Sequence, residues 1–205
     1  MITIVDCGIN NLRSVQKAFE HLGHQTRVTR EAKDIARADR IVLPGVGAFG
    51  AAMKSLQDAE LVEPLVEAVA AGKPFLGICL ALQLVFDWSE ELGLHAGLGL
   101  VAGKVLRLPD EPGLKIPHIG WSALSFSRET QLFRGIEAGA MVYFVHSYHA
   151  VPDEDEVVAA TSCHGQNFVA AVERDNLMAV QFHPEKSSAV GLQILQNFAT
   201  LCDTN

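Results

Sequence analysis

The sequence has little of what marks a secreted, membrane-spanning or nucleic-acid-binding chain. Four cysteines, Cys7, Cys79, Cys163 and Cys202, stand among 205 residues. They form no C-x-x-C pair and fall far below the density of a disulfide framework, which fits a reducing, cytoplasmic compartment. Every hydrophobic run is interrupted by charge, Gly or Pro before it reaches membrane-spanning length, so no membrane association is expected. The opening Met-Ile-Thr-Ile-Val-Asp lacks a basic start and a cleavage site, and reads as a strand rather than a signal peptide. Lys and Arg number 16 against 24 Asp and Glu, a formal charge of −8, which argues against nucleic acid. There is no repeat, linker or low-complexity tract. With 49% hydrophobic residues, the reading is one domain, residues 1–205, with a substantial core.

What is present is an alternation of strand and helix patterns. Ile2–Val5 is a short β-branched strand, and Asn11 is a fair N-cap for a helix carrying Leu12, Val15, Ala18, Phe19 and Leu22 at helical spacing. Strands near Gln25–Val28 and Arg40–Leu43 follow, then helical patterns over Ala48–Gln57 and Leu61–Ala71. Gly72-Lys73-Pro74 breaks the chain before an apolar strand, Phe75–Ile78. This first half implies βαβ units and a mainly parallel sheet flanked by helices, an α/β fold. In the second half, Leu98–Leu108, Ala140–His146, Glu156–Cys163 and Phe168–Glu173 read as additional antiparallel strands. Ala179–Phe182 returns to a buried strand, and a last helix spans about Ser188–Leu201.

The chemistry centres on Cys79. The apolar strand ends there and the period changes, with Leu80, Leu82, Leu84, Val85 and Phe86 suiting a helix packed on that strand. Gly77 and Ala81 flank the cysteine, as a nucleophile on a tight strand-to-helix turn requires. A helix start aims N–H groups and partial positive charge at the sulfur, which favours thiolate. A lone cysteine here is also compatible with a plain core residue, so the reading depends on a base elsewhere. Gln181-Phe182-His183-Pro184-Glu185 offers one: a strand delivers His183, and Pro184 stiffens the chain so that Glu185 can turn back and fix the ring tautomer. Pro44-Gly45-Val46-Gly47 is no phosphate loop, since no Gly-Lys-Ser/Thr follows. Its N–H groups at Val46 and Gly47, with that of Leu80, suit an oxyanion, an interaction of about 3 kcal/mol per donor. His146 and His149 are three apart with alternating strand residues around them, and His118 and His164 have no ligand spacing, so no metal is expected; nor is a cofactor.

Together these three segments, Pro44–Gly47, Gly77–Gln83 and His183–Glu185, resemble the class I (triad) glutamine amidotransferases, whose pattern is P-G-x-G, then G-x-C-x-G-x-Q, then H-P-E, in order and spacing over the whole chain. The resemblance implies hydrolysis of glutamine through a thioester on Cys79, with His183 as acid and base and Glu185 orienting it. It places the substrate against Gly45, Gln83, Ser147 and Tyr148. Asp6–Leu12, Lys115–Trp121, Tyr143–Tyr148 and Gln181–Ser187 are similar to the glutaminase subunits of imidazole glycerol phosphate synthases. That likeness implies a heterodimer with a (βα)8-barrel cyclase in histidine biosynthesis, ammonia passing into the barrel, and Trp121 and Lys186 at the interface. It also implies weak activity without the partner, the paired glycines 45 and 47 making a peptide flip sterically possible. Three departures from the pattern stand out: Ala81 and Asn10 where glycine is usual, and Ser122 where asparagine is. Rival readings are a glutaminase serving an aminodeoxychorismate or anthranilate synthase, a hydrolase of small γ-glutamyl compounds, and a docking subunit without activity.

Overall fold

The computed structural model describes residues 1–8, 12–110 and 113–201; Asn10, Asn11 and Cys202 lie outside the described residues. The first half runs β1 (Ile2–Val5), α1 (Leu12–His21), β2 (Thr26–Thr29), α2 (Ala32–Ala36), β3 (Arg40–Gly45), α3 (Phe49–Asp58), α4 (Val62–Ala70), β4 (Phe75–Cys79) and α5 (Leu80–Leu84). It continues through β5 (Phe86–Ser89), β6 (His95–Ala96), β7 (Val101–Arg107), β8 (His118–Ala123), β9 (Ser125–Phe126), β10 (Met141–His146) and β11 (Tyr148–Pro152). The remainder is β12 (Val158–His164), β13 (Gln166–Arg174), β14 (Leu177–Val180) and α6 (Ser188–Ala199).

The main sheet has the order β2-β1-β3-β4-β14-β13-β12-β9. Strands β2 through β14 in that order pair in parallel, and β13, β12 and β9 extend the sheet antiparallel. The central strands are buried on both faces because helices cover both. Alternation along β3 sends Ile41 and Leu43 into the cluster that holds Ile35, Phe49, Leu56 and Leu65 from α2, α3 and α4. Val42 faces the opposite cluster, with Phe19 of α1 and Phe198 of α6. At about 25 cal/mol per Å² of buried apolar area, these two layers are the main source of stability.

A four-stranded sheet, β11-β7-β5-β6, and a two-stranded ribbon, β10-β8, complete the fold. The expected elements differ from the observed ones mainly here. The helix after Cys79 stops at Leu84, and Phe86 opens a strand instead of continuing the turn. The reason is tertiary: Leu98 N–H donates to the Leu84 carbonyl, and the N–H groups of Leu100 and Val101 donate to the Val85 carbonyl. Those carbonyls, orphaned at a helix end, are satisfied by incoming chain rather than by a further turn. Strand β8 was legible only as a motif, and β9, β11 and α2 follow from packing that no local period announces.

Candidate functional site

Parallel pairing fixes the site. Gly45 on β3 is the register partner of Cys79 on β4, and Val180 on β14 is the partner of Ile78. Three adjacent strands therefore end together, which is where sites form in such sheets. They deliver the Gly45–Gly47 loop, Cys79, and His183 shortly beyond β14.

Cys79 has φ 58° and ψ −108°, a left-handed backbone that an L-residue adopts only when its surroundings enforce it. The enforcement is close packing. A Cβ on Gly77 would stand 3.1 Å from Ala179 Cβ and 3.2 Å from the Ala81 carbonyl group, and one on Gly45 would stand 3.1 Å from Leu80 Cβ and 3.2 Å from Ala81 N. Ala81 itself is fully buried in the core cluster, so the fold accommodates the methyl group that departs from the usual glycine.

His183 Nδ1–H donates to Glu185 Oε1 at 2.7 Å, with side chains 1% and 0% exposed. That bond commits Nδ1 and leaves Nε2 for the sulfur side. Nε2 is buried and makes no hydrogen bond of full geometric quality, so the interaction with Cys79 is loosely aligned, as is common before a ligand binds. Burial opposes charge on the ring, but Cys79 and Glu185 outweigh it and lift His183 to about 9. The ring is thus an imidazolium at neutral pH. The segment is anchored from outside: His183 N–H donates to the Tyr143 carbonyl, while Ser187 Oγ–H donates to the His183 carbonyl and Oγ accepts from Tyr143 N–H.

A cleft of about 260 Å³ opens over this group, lined by Val46, Gly47, Cys79, Leu80, Gln83, Glu91, Pro117, Val145, His146, Ser147, Tyr148 and His183. A larger recess of about 960 Å³, lined among others by Phe126, Arg128, Phe133, Arg134 and Glu173, shares no residue with it. The smaller cleft is the chemical one, because it holds a thiol beside an oriented imidazole. The structure brings Val46, Gly47, Leu80, Gln83, Ser147 and Tyr148 to this cleft; Gly45 packs against Leu80 just behind it. Gln83 Nε2 donates to the Tyr148 carbonyl and to Gln181 Oε1, both at 3.0 Å. Both amide hydrogens are so committed, and Oε1 is the atom through which Gln83 can receive a ligand.

Glu91, unremarked in the sequence, also reaches the cleft; its Oε2 accepts from Phe49 N–H at 2.7 Å, at the start of α3. Gln181 reaches the Cys79 carbonyl at 3.5 Å and Sγ at 4.0 Å. The distance of Glu91 from the motifs in sequence hid it. Gln181 stands two residues before His183, on the segment that delivers the imidazole. Among the described residues no cluster of His, Cys, Asp and Glu is arranged to hold a metal ion, and no helix is long and apolar enough to cross a membrane.

Trp121 and Lys186 lie away from the thiol but together. Trp121 packs edge-on against Tyr143 with centroids 6.1 Å apart, and Lys186 Nζ stands 6.0 Å over the same Tyr143 ring. On the β8–β10 ribbon, register sets Ile119, Trp121 and Ala123 opposite Val145, Tyr143 and Met141. This face is apolar and solvent-exposed, with Ile119 at 60%, Trp121 at 47% and Met141 at 46%.

Comparison with known proteins agrees with this geometry. The family model described as glutamine amidotransferase class-I matches residues 3–202. The imidazole glycerol phosphate synthase subunit HisH of Syntrophotalea carbinolica is 52% identical over 98% of this chain and 100% of its own length. That of Geobacter metallireducens is 53% identical over 97% of both chains. Among solved structures, PurLQS from Thermotoga maritima superposes with a TM-score of 0.75 at 20% identity, covering 97% of this chain and 96% of that one. A crystal structure of a glutamine amidotransferase gives 0.75 at 17% identity, covering 98% and 100%; at such identities these two speak for the fold. On the thiol–imidazole–carboxylate geometry, the family match and the two full-length relatives, the chain belongs to the class-I glutamine amidotransferases, in the family of imidazole glycerol phosphate synthase HisH subunits.

Proposed function

We propose that the chain hydrolyses glutamine to glutamate and ammonia and hands the ammonia to a (βα)8-barrel cyclase, with which it forms the heterodimeric imidazole glycerol phosphate synthase of histidine biosynthesis. The observation that carries the chemistry is the buried Cys79–His183–Glu185 arrangement at the ends of adjacent strands.

In this reading the Cys79 thiolate attacks the side-chain amide carbon of glutamine. The oxyanion that forms is met by backbone N–H groups of Val46 or Gly47 and Leu80. His183, charged at neutral pH, gives its Nε2 proton to the departing ammonia, leaving a γ-glutamyl thioester. Water then attacks the thioester; His183 takes its proton, glutamate leaves, and the thiolate is restored. Glu185 holds the ring through Nδ1 throughout. Gln83, Ser147 and Tyr148 orient the substrate, and the Glu91 carboxylate is suitably charged for its ammonium.

The apolar face of the β8–β10 ribbon supports docking of the cyclase, with Trp121 as an anchor and Lys186 beside it. Val145 lies at one end of that face, and its carbonyl oxygen is 4.0 Å from Cys79 Sγ, so a partner there would sit within reach of released ammonia. The reaction the cyclase completes yields imidazole glycerol phosphate and AICAR.

The test is glutamate release from glutamine by the purified chain, alone and with the cyclase plus its phosphoribosyl substrate. Strong activation, lost in Cys79→Ala, is the expected result. Equal turnover with and without the partner would keep the hydrolysis and remove the gating by the Gly45–Gly47 loop.

A further inference from the structure

The inward face of the same ribbon carries two histidines that the chemistry above does not use. His118 on β8 and His146 on β10 are register partners, and His118 Nδ1 and His146 Nε2 lie 3.1 Å apart. His146 Nδ1 lies 2.9 Å from the Tyr148 carbonyl oxygen. His118 Nε2 lies 3.0 Å from Ser122 Oγ.

These contacts determine every proton. A carbonyl oxygen only accepts, so His146 carries its hydrogen on Nδ1. Its Nε2 then accepts, so His118 also carries its hydrogen on Nδ1, and His118 Nε2 accepts from the Ser122 hydroxyl. The chain runs in one direction, Ser122 to His118 to His146 to the Tyr148 carbonyl. Its surroundings keep both rings neutral: His118 stacks on His164 at 4.2 Å and on Phe144 at 5.1 Å, and Phe168 lies 4.8 Å from His146. Burial lowers His118 to about 4 and His146 to about 3.

The chain does not end at Tyr148. That carbonyl also accepts from Gln83, which bonds Gln181, which reaches the Cys79 carbonyl and sulfur. A continuous set of directed contacts thus links β8, whose other face carries Trp121 and Ile119, to the nucleophile.

We propose that His118 and His146 are positioning residues that couple the exposed face of the β8–β10 ribbon to the active site, by fixing the Tyr148 carbonyl and through it Gln83. Neither ring touches the reacting atoms in this role. Movement of β8 on docking shifts the His118 donor, and the shift passes to the group that orients glutamine. The proposal rests on the glutaminase reading.

The experiment uses the complex with the cyclase and two replacements at one position. In His146→Asn the amide nitrogen occupies the place of Nδ1 and keeps the donor to Tyr148; in His146→Gln the amide lies at the place of Nε2 and leaves that carbonyl without it. The expected result is a loss of about tenfold in kcat/KM for glutamine, mainly through KM, in the Gln variant; the Asn variant, which keeps the donor to Tyr148 but loses the acceptor for His118 Nδ1–H, is expected to keep KM within about twofold of wild type while its activation by the cyclase falls. Equal behaviour of the two variants would overturn the proposal, since packing alone does not discriminate them. Imidazole nitrogen shifts of the wild-type complex give a readout that needs no variant: both rings are expected in the Nδ1–H form, and an Nε2–H form at either would also overturn it. A wild-type complex that hydrolyses no glutamine would remove the functional reading and the proposal with it. An active complex with indifferent variants would remove the relay alone.

Discussion

Gly45 and Cys79 face each other across two parallel strands, and a side chain at position 45 would press on Leu80 Cβ at 3.1 Å and on the Ala81 backbone nitrogen at 3.2 Å. The turn that presents the thiol and the loop proposed to present oxyanion donors are therefore one packed unit.

The first prediction follows from that contact. In Gly45→Ala the new methyl group displaces the first turn of α5 and with it the Leu80 N–H. Removing one oxyanion donor costs about 100-fold or more in kcat, and that is the loss expected here, with a smaller change in KM. Steady-state glutamate release by the variant complex measures it. A kcat within about twofold of wild type would show that the turn yields without moving the donor.

Glu185→Gln tests the electrostatics of the imidazole. Cys79 and Glu185 together hold His183 at about 9 against the effect of burial, so loss of the carboxylate charge lowers it. The imidazolium then disappears at lower pH, and the alkaline limb of kcat/KM moves to lower pH along with it. The stability sign agrees: a base raised in the folded state contributes stability that is complete below about 6.5 and lost as pH rises through about 9. The His183 nitrogen shifts, followed from pH 6 to 10 in both proteins, decide the matter; coincident titrations would contradict the assignment.

The local motifs were legible because chemistry demands short-range company. A tight nucleophile turn needs Gly77 and a small residue at 81, and an oriented imidazole two residues from its carboxylate can be written into H-P-E. Cys79, His183 and Glu185 are accordingly readable, as are the parallel strands that carry them. The histidine relay was not. His118 and His146 are 28 residues apart, and only the antiparallel register of β8 with β10 makes them neighbours. Taken singly, His118 has no partner spacing, and His146 stands three residues from His149, a spacing that points to no ligand pair. Glu91 was hidden for a similar reason, since its approach to the cleft depends on the turn after β5 folding over the start of α3. The short α5 was misjudged because Leu84, Val85 and Phe86 are apolar in either state, and the carbonyl partners that end the helix come from residues 98–101.

Acid should destabilise the protein through the two buried histidines. Burial lowers His118 to about 4 and His146 to about 3, so between those values and about 6.5 the unfolded chain binds more protons than the folded one. Stability accordingly rises with pH across that window and falls on acidification, by at most about 1.4 kcal/mol per pH unit for each group. Urea unfolding at pH 5 and pH 7 measures the difference, and His146→Asn, which has no titrating ring, should flatten it. An unchanged slope in the variant would assign the acid sensitivity to other groups.

Trp121 tests the docking face. Its ring is 47% exposed yet held edge-on by Tyr143, over whose ring Lys186 Nζ also stands. A large aromatic so pre-set loses little side-chain freedom when a partner covers it, the property that makes tryptophan a frequent anchor. Trp121→Ala is expected to weaken binding of the cyclase by about 2 kcal/mol, roughly 30-fold in Kd. Lys186→Ala, whose charge stays near solvent, should cost less than about 1 kcal/mol at moderate salt. Titration calorimetry with the cyclase gives both values. If Trp121→Ala bound as tightly as wild type while Lys186→Ala did not, the charged rim rather than the apolar ribbon would be the seat of the interface, and ammonia released beside Val145 would need another way out.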